Sequence, residues 1–320
     1  MTIAIPIHNE EAVLPELLRR VFAVLDQTPG GPHELLIVDD GSRDGSLRIL
    51  HEAAARDPRL RILVLSRNFG HQAAVSAAFD HAIGDVMMVM DGDLQDAPEA
   101  LPILMKRLDE GFDVVYVRRA RRKESFWLRT SYHVAYRMIA RLSKLALPVD
   151  AGDFALLSRR AVDAVRALPE RQRYLRGLRS WIGFRQAGEE LERHARAGGE
   201  SKYSVSALIA LALDGTFAFS TAPLRFIGAL GGFVLMFAGA FSLYATFVRV
   251  VQGRSPQGFT ALTVLVTIIG GMILISLWII GEYVGRIYEE VKRRPIYLLD
   301  RTIGGAGAPA PPVADRRLGA

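Results

Sequence analysis

The chain has 320 residues, room for one large domain and something smaller, and no cysteine, which excludes disulfides and cysteine-held zinc. Its formal net charge of +6 and sequence pI of about 9.7 suit an anionic membrane, a phosphorylated substrate or nucleic acid. The opening MTIAIPIHNEE puts Glu10 and Glu11 where a cleavable signal would continue its apolar run, so no signal peptide is expected.

In chain order, TIAIPI (2–7), ELLIVDD (34–40), RILVLS (61–66), VMMVMD (86–91) and DVVYVR (113–118) read as strands. Helical patterns fit between them at about 10–26, 45–56, 71–83 and 98–109. Asn9 precedes the first helix, Asp44 the second, and Asp96 with Pro98 the fourth, as start signals. Repeated βα units imply an α/β domain with a mostly parallel sheet covered on both faces. The near-continuous apolar strands agree with burial on two sides.

Further along, KESFWLRTSYHVAYRMIARLSKLAL (123–147) sets Arg129, His133, Arg137, Arg141 and Lys144 on one helical face, with apolar residues on another. Such a basic amphipathic helix lies among lipid headgroups. The uncharged SVSALIALAL (204–213) reads as a second interfacial segment. Residues 226–248 and 259–281 carry no charge over 23 positions each. At about 34 Å of helix apiece, both are long enough to cross a bilayer core. They read as a transmembrane hairpin with a short connection. Arg225, Arg286, Lys292, Arg293 and Arg294 flank the pair, against Arg249 and Arg254 in its loop, which puts the N-terminal domain in the cytoplasm. The expected organisation is a catalytic domain over 1–203, a juxtamembrane segment over 204–225, two spans within 226–284, and a cytoplasmic tail over 285–320. The last part, 303–320, is rich in Gly, Ala and Pro and reads as disordered.

Ligands in such sheets bind beyond the carboxyl ends of the strands. The polar loops sit there: HNEE, DDGSRDGS, SRNFGHQ and DGDLQD follow the first four strands. There is no G-x-G-x-x-G after the first strand and no P-loop, so phosphate must be held by another device. The seven histidines show no H-E-x-x-H or tight metal spacing. Asp91 and Asp93, either side of Gly92, end a strand pointing the same way. Two carboxylates so close repel unless a cation or proton lies between them. A hard cation, Mg2+ or Mn2+, shared with substrate phosphates answers both needs, and Gln95 adds a carbonyl oxygen.

IPIHNEE, VDDGSRDGS, RNFGHQAA, DGDLQD, GDFALLSR, GESKYS and a hydrophobic hairpin ending in GEYVGR together resemble the polyprenyl-phosphate glycosyltransferases of glycosyltransferase family 2, relatives of dolichyl-phosphate mannose synthase. The resemblance covers about residues 1–300. It implies a GT-A fold and inverting transfer of a sugar from a UDP-sugar to a polyprenyl phosphate such as undecaprenyl phosphate. Pro6, His8 and Glu10 would belong to the nucleotide-contacting loop, where Tyr or Phe is more usual at the position of His8. Asp39 and Asp40 would read uracil and ribose, and Asp91, Asp93 and Gln95 would hold the metal and diphosphate. Asp153 would sit near the reacting centre, catalytic together with Asp93. Arg196 and Lys202 would approach the diphosphate or acceptor phosphate. The implied partners are UDP-sugar, polyprenyl phosphate and the bilayer, with no nucleic acid, in a homo-oligomer that relatives make a tetramer. The implied location is the bacterial inner membrane, multi-pass, with the catalytic domain cytoplasmic.

An acceptor phosphate is already an anion near neutral pH, so a strong general base is not obligatory. Asp153 is therefore expected to position a substrate more than to remove a proton. Two other readings compete. A processive polysaccharide synthase would carry Q-x-x-R-W, which QRYLRGLRSW (172–181) does not match. A non-catalytic nucleotide-sugar-binding membrane protein would have little use for Asp91, Asp93 and Asp153 together.

Overall fold

The computed structural model describes residues 1–119, 151–170, 173–191, 222–252 and 258–305. The expected interfacial segments (123–147 and 204–213), Arg196, Lys202 and the tail beyond 305 lie outside the described residues. The described chain divides into two compact units. One contains 1–119, 151–191 and the stretch after Pro295; the other contains the two long helices up to Arg294.

The first unit is built on β1 (Thr2–Ile7), β2 (Glu34–Asp39), β3 (Leu60–Leu65), β4 (Val86–Val89), β5 (Val114–Arg119), β6 (Ala151–Ser158), β7 (Gln186–Leu191) and β8 (Leu299–Gly304). Its helices are α1 (Leu14–Gln27), α2 (Ser46–Arg56), α3 (His71–His81), α4 (Leu101–Asp109), α5 (Arg159–Ala167) and α6 (Leu175–Trp181). Among the described residues the strands make one sheet in the order β7-β5-β6-β4-β1-β2-β3-β8. β1 is parallel to β2 and β4, β2 to β3, and β5 to β7. β6 runs antiparallel between β4 and β5, and β8 runs antiparallel along β3. The sheet is GT-A-like and mixed, where the apolar runs predict a mostly parallel one. Its direction of winding reverses between β1 and β4, so the carboxyl ends of those neighbours flank the crevice where α/β sheets bind ligands.

The pleat sorts each central strand into two buried faces. Ile3, Ile5, Leu35, Ile37, Ile62 and Val64 join one core with Leu14, Leu17, Val21 and Leu25 of α1. Their sequence neighbours Ala4, Leu36, Val38 and Leu63 are equally buried on the other face. There α3 packs on β1 and β2 through small residues, Ala73, Ala74, Ala77 and Ala78, which allow close approach. Each fully buried Leu or Ile contributes roughly 1.5–3 kcal/mol. The sheet is thus a rigid base for its rim.

Three local expectations change. α1 starts at Leu14 with Pro15 in its first turn and no side-chain cap, so Asn9 does not start it. Asn9 instead adopts a left-handed φ of 57° in the loop before the helix. Asp96 does not begin a helix: a 3-10 turn at Pro98–Ala100 precedes α4, and Asp96 faces back toward Asp91. Residues 285–320 are not simply a tail, because β8 returns to the sheet and includes Ile303 and Gly304. Ser66 donates its amide to the Leu298 carbonyl, and the Tyr297 hydroxyl donates to Asp80, 3.1 Å away.

The second unit contains α7 (Ala222–Gln252) and α8 (Phe259–Lys292), both longer than the apolar runs that predict them. Large apolar side chains such as Leu235, Leu243, Leu274 and Trp278 are exposed on them. Among the described residues one segment, Ile268–Lys292, is long and apolar enough to cross a membrane, where the uncharged runs predict two. The apolar stretch of α7, Phe226–Phe241, is shorter. Arg293 closes α8 in the left-handed conformation at φ 50°.

Candidate active site

The loops after β1 and β2 are laced together by side chains. The Asn9 amide donates to the Ser42 hydroxyl at 2.9 Å, and its side-chain carbonyl accepts the Arg43 amide at 2.8 Å. The Glu10 amide donates to the Ser46 hydroxyl, and the Glu11 carboxylate accepts the Gly45 amide. Asp44 accepts the amides of Ser46 and Glu11, so it organises the start of α2 as expected. His8 is exposed, and its Nδ1 lies 2.9 Å from the Asp40 carbonyl. Pro6 is buried inside β1, opposite Val38.

Asp39 and Asp40 are neighbours with different work. Both Asp40 oxygens accept loop amides, Phe69 at 2.7 Å and Gly70 at 2.8 Å. That ties the β2 end to the loop leading into α3. Asp39 accepts the Ser42 amide through Oδ1, while its buried Oδ2 has no hydrogen-bond partner among the described residues. Burial pushes the Asp39 carboxyl above its ordinary value, against the opposing effect of Ser42. An orphaned acceptor at a sheet's carboxyl edge matches a ligand N–H or O–H donor.

Asp91 and Asp93 follow β4 on a partly buried turn. A side chain at Gly92 would meet Ile7 Cγ2 at 3.0 Å and the Pro6 carbonyl at 3.3 Å. Glycine lets the β4 end lie against β1 and bring the carboxylates into the crevice. The Asp93 Oδ1 accepts the Gln95 amide at 3.1 Å, a local turn that includes Leu94 at φ 59°. The Asp91 amide donates to buried Asp96 at 3.3 Å. Among the described residues no three His, Cys, Asp or Glu side chains close around one point. Two half-exposed carboxylates fit a hard cation that draws the rest of its shell from water and a substrate's phosphates.

The Asp153 carboxylate, on β6, is gripped by Arg176 of α6: Nε to Oδ1 at 2.8 Å and Nη2 to Oδ2 at 3.0 Å. The His71 Nε2, at the start of α3, lies 3.5 Å from Asp153 Oδ2 and 3.7 Å from Asp91 Oδ1. His71 therefore bridges carboxylates that are 62 positions apart in sequence. Its side chain is 44% exposed and that of Asp153 only 11%, so the imidazole is the open face of the group. Burial alone would raise the Asp153 carboxyl, but His71 and Arg176 hold it well below the usual carboxylate range. The hydrogen bond to Asp153 holds the His71 imidazole above its ordinary value, against burial. The resemblance gives a role to Asp153 and none to His71 or Arg176. RNFGHQ signalled a rim loop; RGLRSW gave no hint that its first arginine reaches the site.

A model of glycosyl transferase family 2 matches residues 2–166. The chain belongs to glycosyl transferase family 2 and is a glycosyltransferase. Its similarity to known proteins runs nearly end to end. An uncharacterized glycosyltransferase of Bacillus subtilis (strain 168), YkcC, is 38% identical over 95% of this chain and 94% of its own length. The SfII prophage-derived bactoprenol glucosyl transferase of Shigella flexneri is 34% identical over 95% of this chain and 99% of its own. The glucosyl-3-phosphoglycerate synthase of Mycobacterium tuberculosis, solved with Mn2+, UDP and phosphoglyceric acid, has a TM-score of 0.49. It is 20% identical over 66% of this chain and 74% of its own.

Proposed function

We propose that the protein transfers a sugar from a UDP-sugar to a polyprenyl phosphate such as undecaprenyl phosphate, with inversion, at the cytoplasmic face of a bacterial inner membrane. The observation that carries the reading is the His71 bridge, 3.7 Å from Asp91 and 3.5 Å from Asp153. It joins the expected diphosphate loop and the expected reacting centre in one acidic crevice. The acceptor comes from relatives that are named bactoprenol glucosyl transferases over almost the whole chain. Membrane association is supported by the span Ile268–Lys292. We take α7 to cross beside it, with the flanking basic residues on the cytoplasmic side.

In this reading Asp39 accepts from the uracil through its unpartnered Oδ2. Asp40 serves the nucleoside indirectly, by fixing the loop that ends in His71. Asp91 and Asp93, with Gln95 beside them, hold Mg2+ or Mn2+. The bound cation supplies neutralisation of charge that develops on the leaving diphosphate. Arg196 and Lys202 add positive charge to that diphosphate or to the acceptor phosphate. Asp153 stays ionised and is already engaged by the Arg176 guanidinium and faced by the His71 imidazole, so it orients a substrate rather than removing a proton. The acceptor phosphate, an anion near neutral pH, attacks the anomeric carbon in line as UDP leaves.

The test uses the purified full chain with undecaprenyl phosphate and Mg2+ or Mn2+. Labelled UDP-glucose, UDP-galactose and UDP-N-acetylglucosamine are offered in turn. One of them should yield an organic-soluble labelled lipid whose anomeric configuration is opposite to the donor's. Absence of lipid product from every donor would sink the reading.

A further inference from the structure

Asp153 is held from one side by a helix that the family motifs do not include. α6 begins at Leu175, and the Leu175 amide donates to the Gln72 side-chain carbonyl at 3.1 Å. Gln72 directly follows His71. One residue into α6, Arg176 grips both Asp153 oxygens. One turn later the buried Arg179 donates to the carbonyl of Gly152, the residue before Asp153. α6, the start of α3 and β6 therefore close a small circuit around a single carboxylate. The circuit has two-point geometry at Asp153, which a planar guanidinium can make and an ammonium cannot.

A carboxylate has about four lone-pair sites. The guanidinium occupies two, and the His71 Nε2 faces a third. What remains is narrow and fixed in direction, which suits a substrate hydroxyl that donates in one orientation. Arg176 is 32% exposed and Asp153 11%, so the guanidinium reaches the surface beside the carboxylate that it grips.

We propose that Arg176 is a positioning residue for the transfer reaction, fixing the Asp153 carboxylate against His71 so that the reacting groups align. The inference rests on the placement of Asp153 at the reacting centre. Misplacement of a catalytic group by about 1 Å costs on the order of a hundredfold in rate. Loss of Arg176 therefore acts on kcat and leaves the KM for the donor nearly unchanged, because the nucleotide is held elsewhere.

The experiment is a double-mutant cycle in the full-length protein, with labelled UDP-sugar and undecaprenyl phosphate as substrates. The variants are Arg176→Ala, Asp153→Asn and the pair, with Arg176→Lys and Arg176→Gln alongside. Expected results are a drop in kcat of about a hundredfold for Arg176→Ala with donor KM within about threefold. Arg176→Lys should recover only part of the rate, and the double variant should be no slower than Asp153→Asn alone. If Arg176→Ala does not fold by thermal melting, Arg176→Gln takes its place in the cycle. Additive losses, or kcat unchanged, would overturn the proposal while leaving the transfer reading intact. A wild-type protein inactive with every donor would overturn the transfer reading, and this inference with it.

Discussion

The Asp40 carboxylate accepts the Gly70 amide at 2.8 Å, and through that bond a residue at the end of β2 sets where α3 begins. Its other oxygen takes the Phe69 amide at 2.7 Å. Gly41, at φ 68°, lies so close to that loop that a side chain there would meet the Asn68 amide nitrogen at 2.7 Å. The position of His71 is thus inherited from Asp40 across 31 residues of chain.

Asp40→Ala removes the acceptor from two partly buried amides. Hydrogen bonds to charged groups contribute roughly 1.5–3 kcal/mol, so about 2–3 kcal/mol of stability should be lost. Transfer activity should fall with it, because His71 loses its support. Chemical denaturation beside a transfer assay checks both. A variant of wild-type stability would contradict the role given to the clamp.

Asp39→Asn should behave in the opposite way. It removes a buried charge whose Oδ2 has no donor among the described residues, so stability should hold within about 1 kcal/mol. UDP affinity should weaken by about tenfold or more, because an acceptor for the base is lost. Calorimetry with UDP separates the two aspartates: Asp39→Asn changes affinity first, and Asp40→Ala changes stability first.

Asp93→Asn keeps a side-chain oxygen for the Gln95 amide, so the turn should survive. The loss of a hard anionic ligand should cost about a hundredfold or more in kcat. Chelation of divalent cations should stop the wild-type reaction, and Mn2+ or Mg2+ should restore it. Wild-type transfer in the presence of a chelator would remove the cation from the site.

Stability should depend on pH through His81, buried at the end of α3, the opposite end from His71. Burial first, then the charges of Arg61 and Arg166, push its imidazole down to about 4 from 6.5. Among the described residues its Nδ1 has no hydrogen-bond partner, in keeping with a neutral ring, and the Tyr297 ring centre lies 6.1 Å away. The unfolded chain takes up this proton first as pH falls. The contribution is therefore intact above about pH 6.5, declines between 6.5 and 4, and is fully lost below that window. The shift corresponds to about 3 kcal/mol. Denaturation of wild type and His81→Gln at pH 7.5 and 4.5 should converge at the lower pH; equal slopes would refute it.

Gly304→Val tests the returning strand. Gly304 sits at φ 74°, and a side chain there would meet the Leu60 carbonyl oxygen at 2.3 Å. Displacement of β8 would uncover the β3 edge. A loss of about 1–3 kcal/mol is expected from the strained conformation alone, read from the melting temperature of the purified chain.

Much of the fold was legible because it is written in short-range pattern. The apolar runs at 2–7, 34–40, 61–66 and 86–91 lie within two residues of β1 to β4. β7 and β8 gave no such signal: QAGEEL is half-buried and LDRTIG mostly exposed at the two ends of the described sheet, so burial leaves no alternation to read. AGDFALLS was visible as a motif, yet nothing local shows that it runs antiparallel between β4 and β5.

The site divides along the same line. By itself the sequence determined the class of chemistry: DGD at a strand end, polar loops in register beyond the sheet, and long uncharged segments later. These are properties of residue type and spacing, which survive without knowledge of contacts. Tertiary structure decided the assignments. It gave both oxygens of Asp40 to loop amides, left Asp39 with the orphaned one, and put Asp153 between His71 and Arg176. The reason is physical. A carboxylate's role depends on which donors reach it, and the donors to Asp40 and Asp153 come from loops and helices 23 to 82 positions away, which only packing brings together.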